Sequence, residues 1–99
     1  MRVVVQYRAG HVPEAETGAQ QQALWNWLDR LYERPEHTQT VVLGGGHTIG
    51  PQGTSEYAGD VFGLSILEVD SLETAADLLT EWPELPYGGH LDLLSELQP

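Results

Sequence analysis

Apolar positions alternate with polar ones at the two ends of the chain and recur at helical spacing in between. Residues 2–8 (RVVVQYR) are β-branched and aromatic, the composition of a strand. Residues 9–16 hold Gly, Pro and acids and predict a loop. Thr17 followed by Gln20 has the form of a capping box, and Leu24, Trp27, Leu28 and Leu31 then repeat at helical intervals. Gln21, Gln22, Asn26, Asp29, Arg30 and Glu33 take the opposite side, so an amphipathic helix is expected over 17–34, ended by Pro35. Residues 39–43 (QTVVL) predict a second strand that runs into Gly44, Gly45 and Gly46, with 47–50 (HTIG) as its extension and 51–59 as turn. Residues 60–69 (DVFGLSILEV) predict a third strand. Asp70 and Ser71 cap a second helix carrying Leu72, Ala75, Ala76 and Leu79, which Pro83 and Pro86 stop. Residues 90–97 (HLDLLSEL) predict the last strand.

The order β-α-β-β-α-β, with right-handed crossovers through each helix, specifies an α+β ferredoxin-like fold. Its four-stranded antiparallel sheet has strand order 4-1-3-2, with both helices on one face. Residues 1–99 read as one domain, without linker, repeat or low-complexity tract.

Strand parity assigns the faces. Val3, Val5 and Tyr7 point to the helices together with Leu91, Leu93, Ser95 and Leu97. Arg2, Val4, Gln6 and Arg8 point away with His90, Asp92, Leu94 and Glu96. The third strand is apolar on both sides, with Phe62, Leu64 and Ile66 on one and Val61, Leu67 and Val69 on the other. Pairing Arg2 with Glu96 sets Gln6 opposite Asp92 and Arg8 opposite His90. The face without helices exposes an apolar patch, and a homodimer packed through that open sheet face is expected.

Charge narrows the partners. Fifteen acids stand against four Arg and no Lys, a formal net charge of −11. Such a surface repels phosphates, so neither nucleic acid nor an anionic membrane is an expected partner. No apolar run approaches the roughly 20 residues that cross a bilayer, and the N-terminus enters a strand pattern directly, so a cytoplasmic protein is expected. There is no Cys, hence no disulfide, thiolate site or cysteine nucleophile. His11, His37, His47 and His90 lack the spacing of a zinc pair, and neither metal nor cofactor is expected.

GGGHTIG (44–50) is spaced G-x-G-x-x-x-G and is followed by Pro51, so it is neither a dinucleotide fingerprint nor, lacking Lys, a Walker loop. A strand that bends at its glycines is expected there, with His47 able to face a ligand. His90 and Asp92 share a strand face near Arg8, and a carboxylate that orients an imidazole suits acid–base work. Arg8, His90 and Asp92 are therefore the candidate catalytic group, and His11, His47 and Tyr87 the candidate ligand-binding residues. Because Arg30 and Arg34 belong to a solvated helix end, Arg8 is also the candidate contact for a small anionic ligand. Glu81 and Glu84 oppose the dipole near the end of the second helix, and they are either solvated, the default, or one of them meets an Arg or a ligand. Trp25 and Trp27 lie about 200° apart around a helix, so only one can enter the core.

Residues 59–97 (GDVFGLSILEVDSLETAADLLTEWPEL, then YGGHLDLLSEL) resemble the YCII-related domain family. Phe62, Gly63, Glu68, Val69, Asp70, Ser71, Leu72, Glu73, Ala75, Pro83, Gly88 and Gly89 carry the likeness. The resemblance implies the dimeric α+β barrel fold. The Asp-Gly-Pro-Phe stretch of many members is replaced here by TSEYAGD, and a His–Asp pair proposed in some members is not carried over: the helix start has no His, unless His11 substitutes from the loop, and Glu81 and Trp82 precede Pro83. Two functional expectations follow. One is a YCII-like small-molecule-binding protein that is non-catalytic or accessory. The other is a metal-independent acid–base enzyme, of lyase, isomerase or dehydrochlorinase type, acting on a small organic acid or phenol.

Overall fold

The computed structural model describes residues 1–97. Its elements are β1 (Arg2–Arg8), α1 (Thr17–Tyr32), β2 (His37–Val42), β3 (His47–Gly50), β4 (Gly53–Glu56), β5 (Val61–Glu68), α2 (Leu72–Leu78) and β6 (His90–Ser95). Short 3-10 turns lie at Glu14–Glu16 and Leu85–Tyr87. The main sheet is antiparallel in the order β2-β5-β1-β6, which is the ferredoxin-like order expected. The register against β6 sets Gln6 opposite Asp92 and Arg8 opposite His90, and Arg2 reaches Glu96 at 3.5 Å.

The core lies where β1, β5 and the two helices meet. Val3, Val5 and Tyr7 from β1 and Leu67 from β5 pack with Trp27, Leu28 and Leu31 of α1 and Ala75 of α2, closed by Leu79 and Trp82. Trp27 is buried and Trp25 is 49% exposed, as their angular separation requires. A polar thread leads from this core to β2. The Tyr7 hydroxyl lies 2.5 Å from Ser65 Oγ, Ser65 Oγ lies 2.6 Å from Thr40 Oγ1, and Thr40 Oγ1 lies 2.8 Å from His37 Nε2. Each buried hydroxyl thus has a partner, which removes the cost of burying it. Gly63 makes room for the Tyr7 ring, since a Cβ there would lie 3.1 Å from Tyr7 Cδ2.

Four local expectations are corrected. The capping box does not form: the turn Glu14–Glu16 precedes the helix, Thr17 is its first residue, and the Thr17 hydroxyl donates instead to Pro13 O at 3.3 Å. Residues 47–50 do not extend β2; they pair with Gly53–Glu56 in a separate hairpin, across a turn at Pro51–Gln52 and Gly53 with φ +117°. Phe62 does not share a face with Leu64 and Ile66. A β-bulge shifts the pairing from Tyr7↔Gly63 to Arg8↔Val61, so the extra residue Phe62 turns towards the core and contacts Tyr7 and Trp82. The last strand ends at Ser95, which leaves Leu97 89% exposed.

Candidate functional site

A cleft of about 400 Å³ opens on the helix side of the sheet, between the loop after β1, the first turns of α1, and the segment after α2. Two glycines allow these segments to converge. A Cβ on Gly10 would lie 2.5 Å from Tyr87 O, and one on Gly89 would lie 2.9 Å from Glu84 Cβ and 3.0 Å from Arg8 O. The crossing is tied by His11 N–H donating to Tyr87 O at 2.9 Å.

Glu84 forms the floor of the cleft. Its neighbour Trp82 is 1% exposed and anchors the segment, and Glu84 O accepts from Tyr87 N–H and Gly89 N–H, each at 3.0 Å. The side chain is thereby held inside, and the residue is 8% exposed. Burial pushes its carboxyl above the usual carboxylate range, opposed in part by the Gly10 N–H that donates to it. Gln20 projects from α1 into the same cleft, and its buried Nε2 has no hydrogen-bond partner among the described residues. Leu24 and Phe62 supply apolar walls, Phe62 because of the bulge. The arrangement pairs a carboxyl that can give or take a proton with an amide N–H able to hold an oxygen, against a hydrophobic surface.

The residues named from sequence fall into two groups on opposite faces of the sheet. Arg8, His90, Asp92 and His47 belong to the open face. Arg8 Nε donates to Asp60 at 2.9 Å and Arg8 Nη1 to Asp92 at 3.3 Å. Asp60 holds the guanidinium pKa above its ordinary value, with Asp92 second, and Arg8 holds the Asp60 carboxyl below its own. One guanidinium set between two carboxylates does not favour an anion. His90 is the register partner of Arg8 and is exposed. His47 lines a second groove of about 410 Å³ with Gln6, Gly44, Gly45, Gly46 and Tyr57. On the helix side, His11 is exposed beside the cleft, and the Tyr87 hydroxyl bonds to Glu16.

Glu84 corrects the solvated reading given to it. Its burial is not legible because no periodicity governs the segment WPELPYGG, and Gln20 reads as the capping-box partner of Thr17, which assigns its side chain to the helix start. The one local signal is the pair of prolines around Glu84, which marks a tightly turned, pinned segment. Among the described residues, no group of three His, Asp or Glu is placed to hold a metal ion, and no helix is long and apolar enough to cross a membrane.

No protein-family model matches the chain, and no curated protein matches it. Among solved structures it is similar to 5-chloro-2-hydroxyhydroquinone dehydrochlorinase from Burkholderia phenoliruptrix AC1100, determined in complex with 2,5-dihydroxybenzoquinone. The match has a TM-score of 0.52 at 15% identity and covers 93% of this chain and 91% of that one. At that identity the likeness is one of fold, and it agrees with the ferredoxin-like topology.

Proposed function

We propose that this protein is a YCII-like small-molecule-binding protein whose helix-side cleft takes a small, flat, oxygen-bearing ring, with Glu84 exchanging a proton with the bound molecule. The observation that carries this reading is the buried Glu84 carboxyl facing the same apolar cleft as the unpartnered Gln20 amide. A carboxyl whose pKa is raised by burial serves as acid or base closer to neutrality than an exposed one. The dihydroxybenzoquinone held by the structural neighbour is of the class that suits such a cleft: apolar faces for Leu24 and Phe62, ring oxygens for Gln20 and Glu84. Glu84 supplies a carboxyl that the His–Asp pair of the family would otherwise provide, so the acid–base reading is favoured over the accessory one.

Titration calorimetry with 2,5-dihydroxybenzoquinone and simple phenols tests this, with absorbance following any turnover. Glu84→Gln and Gln20→Ala are each expected to weaken binding about tenfold, the value of one hydrogen bond to a charged or buried group. Binding unaffected by both substitutions overturns the assignment. Binding lost in the variants without turnover by the parent leaves a binding protein and removes the enzymatic reading.

Arg8, His90 and Asp92, with His47 nearby, stand as the second candidate group, in which Arg8 pairs with Asp60 and Asp92. The same open face carries Val4, Leu64, Ile66, Val41 and Leu94, the last two 41% and 53% exposed. Burial of this face against a second copy is the proposed assembly, as in the dimeric barrels that the family resemblance implies.

A further inference from the structure

The β3–β4 hairpin forms a two-stranded sheet of its own, apart from the main sheet. Every residue of both strands is exposed, and Ile49 is 85% exposed. An isolated two-stranded hairpin is at best marginally stable in water. The hairpin and its roots are also unlike the remainder of the molecule electrostatically. Residues 38–59 contain a single charged side chain, Glu56, and none of the four Arg, in a chain of net charge −11. The exposed Val41, Val42, Leu43, Ile49 and Tyr57 all belong to this stretch.

The surface area points the same way. A compact monomer of this mass exposes about 5,600 Å². This chain exposes 6712 Å², an excess of about 1,100 Å². A standard protein interface removes about 800 Å² from each partner, so the excess is of the size that one partner covers. The radius of gyration is 14.8 Å, against about 13 Å for a compact chain of this length.

We infer that the hairpin is a dimerisation arm, which crosses to a second copy of this chain and lays Ile49 on that copy's open sheet face. This rests on the dimer reading given above and extends it. Strand alternation puts His47 and Ile49 on one face of the hairpin. His47 lines the groove that Gln6 and Leu64 share, so this face looks across the open side of the sheet. A second copy is the occupant that fits, because the excess surface matches what one partner covers and a hairpin with one charged side chain adds little repulsion on approaching a chain at −11. With the partner in place, the groove beside His47 and Tyr57 becomes an enclosed chamber at the interface.

Size-exclusion chromatography with light scattering on the full chain at micromolar concentration gives the first measurement. The expected mass is twice 10.9 kDa. Ile49→Asp and Leu94→Asp are each expected to raise the dimer dissociation constant at least tenfold, with far-ultraviolet circular dichroism unchanged. A monomeric parent overturns both the dimer and the arm. A dimer that resists Ile49→Asp but yields to Leu94→Asp overturns the arm and leaves the open-face dimer standing. The absence of cysteine allows a second test: Gln52→Cys carrying a photocrosslinker, mixed with isotopically labelled parent. Adducts between unlike copies on β1 or β6 are expected, and adducts confined to one copy overturn the proposal.

Discussion

Burial of Glu84 makes its ionised form costly to the fold. Its carboxyl is held above the usual range by burial, so the folded chain binds that proton more tightly than the unfolded chain does. The stabilising contribution is complete below the unfolded value and is lost as pH rises through the folded one. At neutral pH the ionised group weighs against the fold. Glu84→Gln keeps the shape and an oxygen for Gly10 N–H but cannot ionise. Thermal melts are therefore expected to show Glu84→Gln more stable than the parent at pH 7, with the gap closing towards pH 4. A gap that is constant with pH removes the linkage argument. The Tyr7 hydroxyl is pushed up to about 12 by burial, so it stays protonated throughout that range and does not contribute to the difference.

At the scale of elements, the end of α2 holds backbone strain. Ser71 caps the helix by accepting from Thr74 N–H at 3.1 Å, and the helix stops at Leu78. Glu81 then adopts φ +66° to bring Trp82 back into the core. A left-handed conformation costs a residue with a Cβ about 1–2 kcal/mol, while glycine takes it freely at some cost in unfolded-chain entropy. Glu81 also places negative charge just past a helix C-terminus, where the dipole disfavours it. Glu81→Gly is expected to stabilise the fold by about 0.5–1 kcal/mol, a few degrees in melting temperature for a chain of this size. A fall in melting temperature contradicts it. The bulge at Phe62 is a second element-scale device. It turns one residue of β5 from the open face to the cleft wall, and gives the cleft an aromatic side that strict alternation denies it.

For the whole molecule, charge is the dominant long-range term. The ion pairs of Arg2 and Arg8 are solvent-accessible and contribute little, whereas the self-repulsion of a chain at −11 is distributed and unfavourable. Raising ionic strength from about 0.02 M to about 0.2 M shortens the screening length from roughly 20 Å to roughly 7 Å. The melting temperature at pH 7 is expected to rise over that interval. A decrease shows instead that the exposed ion pairs outweigh the repulsion. The same repulsion is weakest over the nearly uncharged stretch 38–59.

Local chemistry made much of this architecture legible before any coordinates. β-Branched strands, two amphipathic helices and the connection rules sufficed for the βαββαβ order. Strand parity was enough for the faces of β1 and β6, while the choice between the observed register and a two-residue slip was made by the tertiary structure. These properties depend on periods of two and 3.6 residues, which are written along the chain. What the tertiary structure decided depends on segments with no period. The bulge at Phe62, the crossing of Gly10 and Gly89, and the pinned turn around Glu84 arise where loops from distant parts of the chain compete for one space. The burial of Glu84 and Gln20 is a property of that crossing. For the same reason the candidate residues read from β1 and β6 lie on one face of the sheet, while the cleft with the buried carboxyl lies on the other.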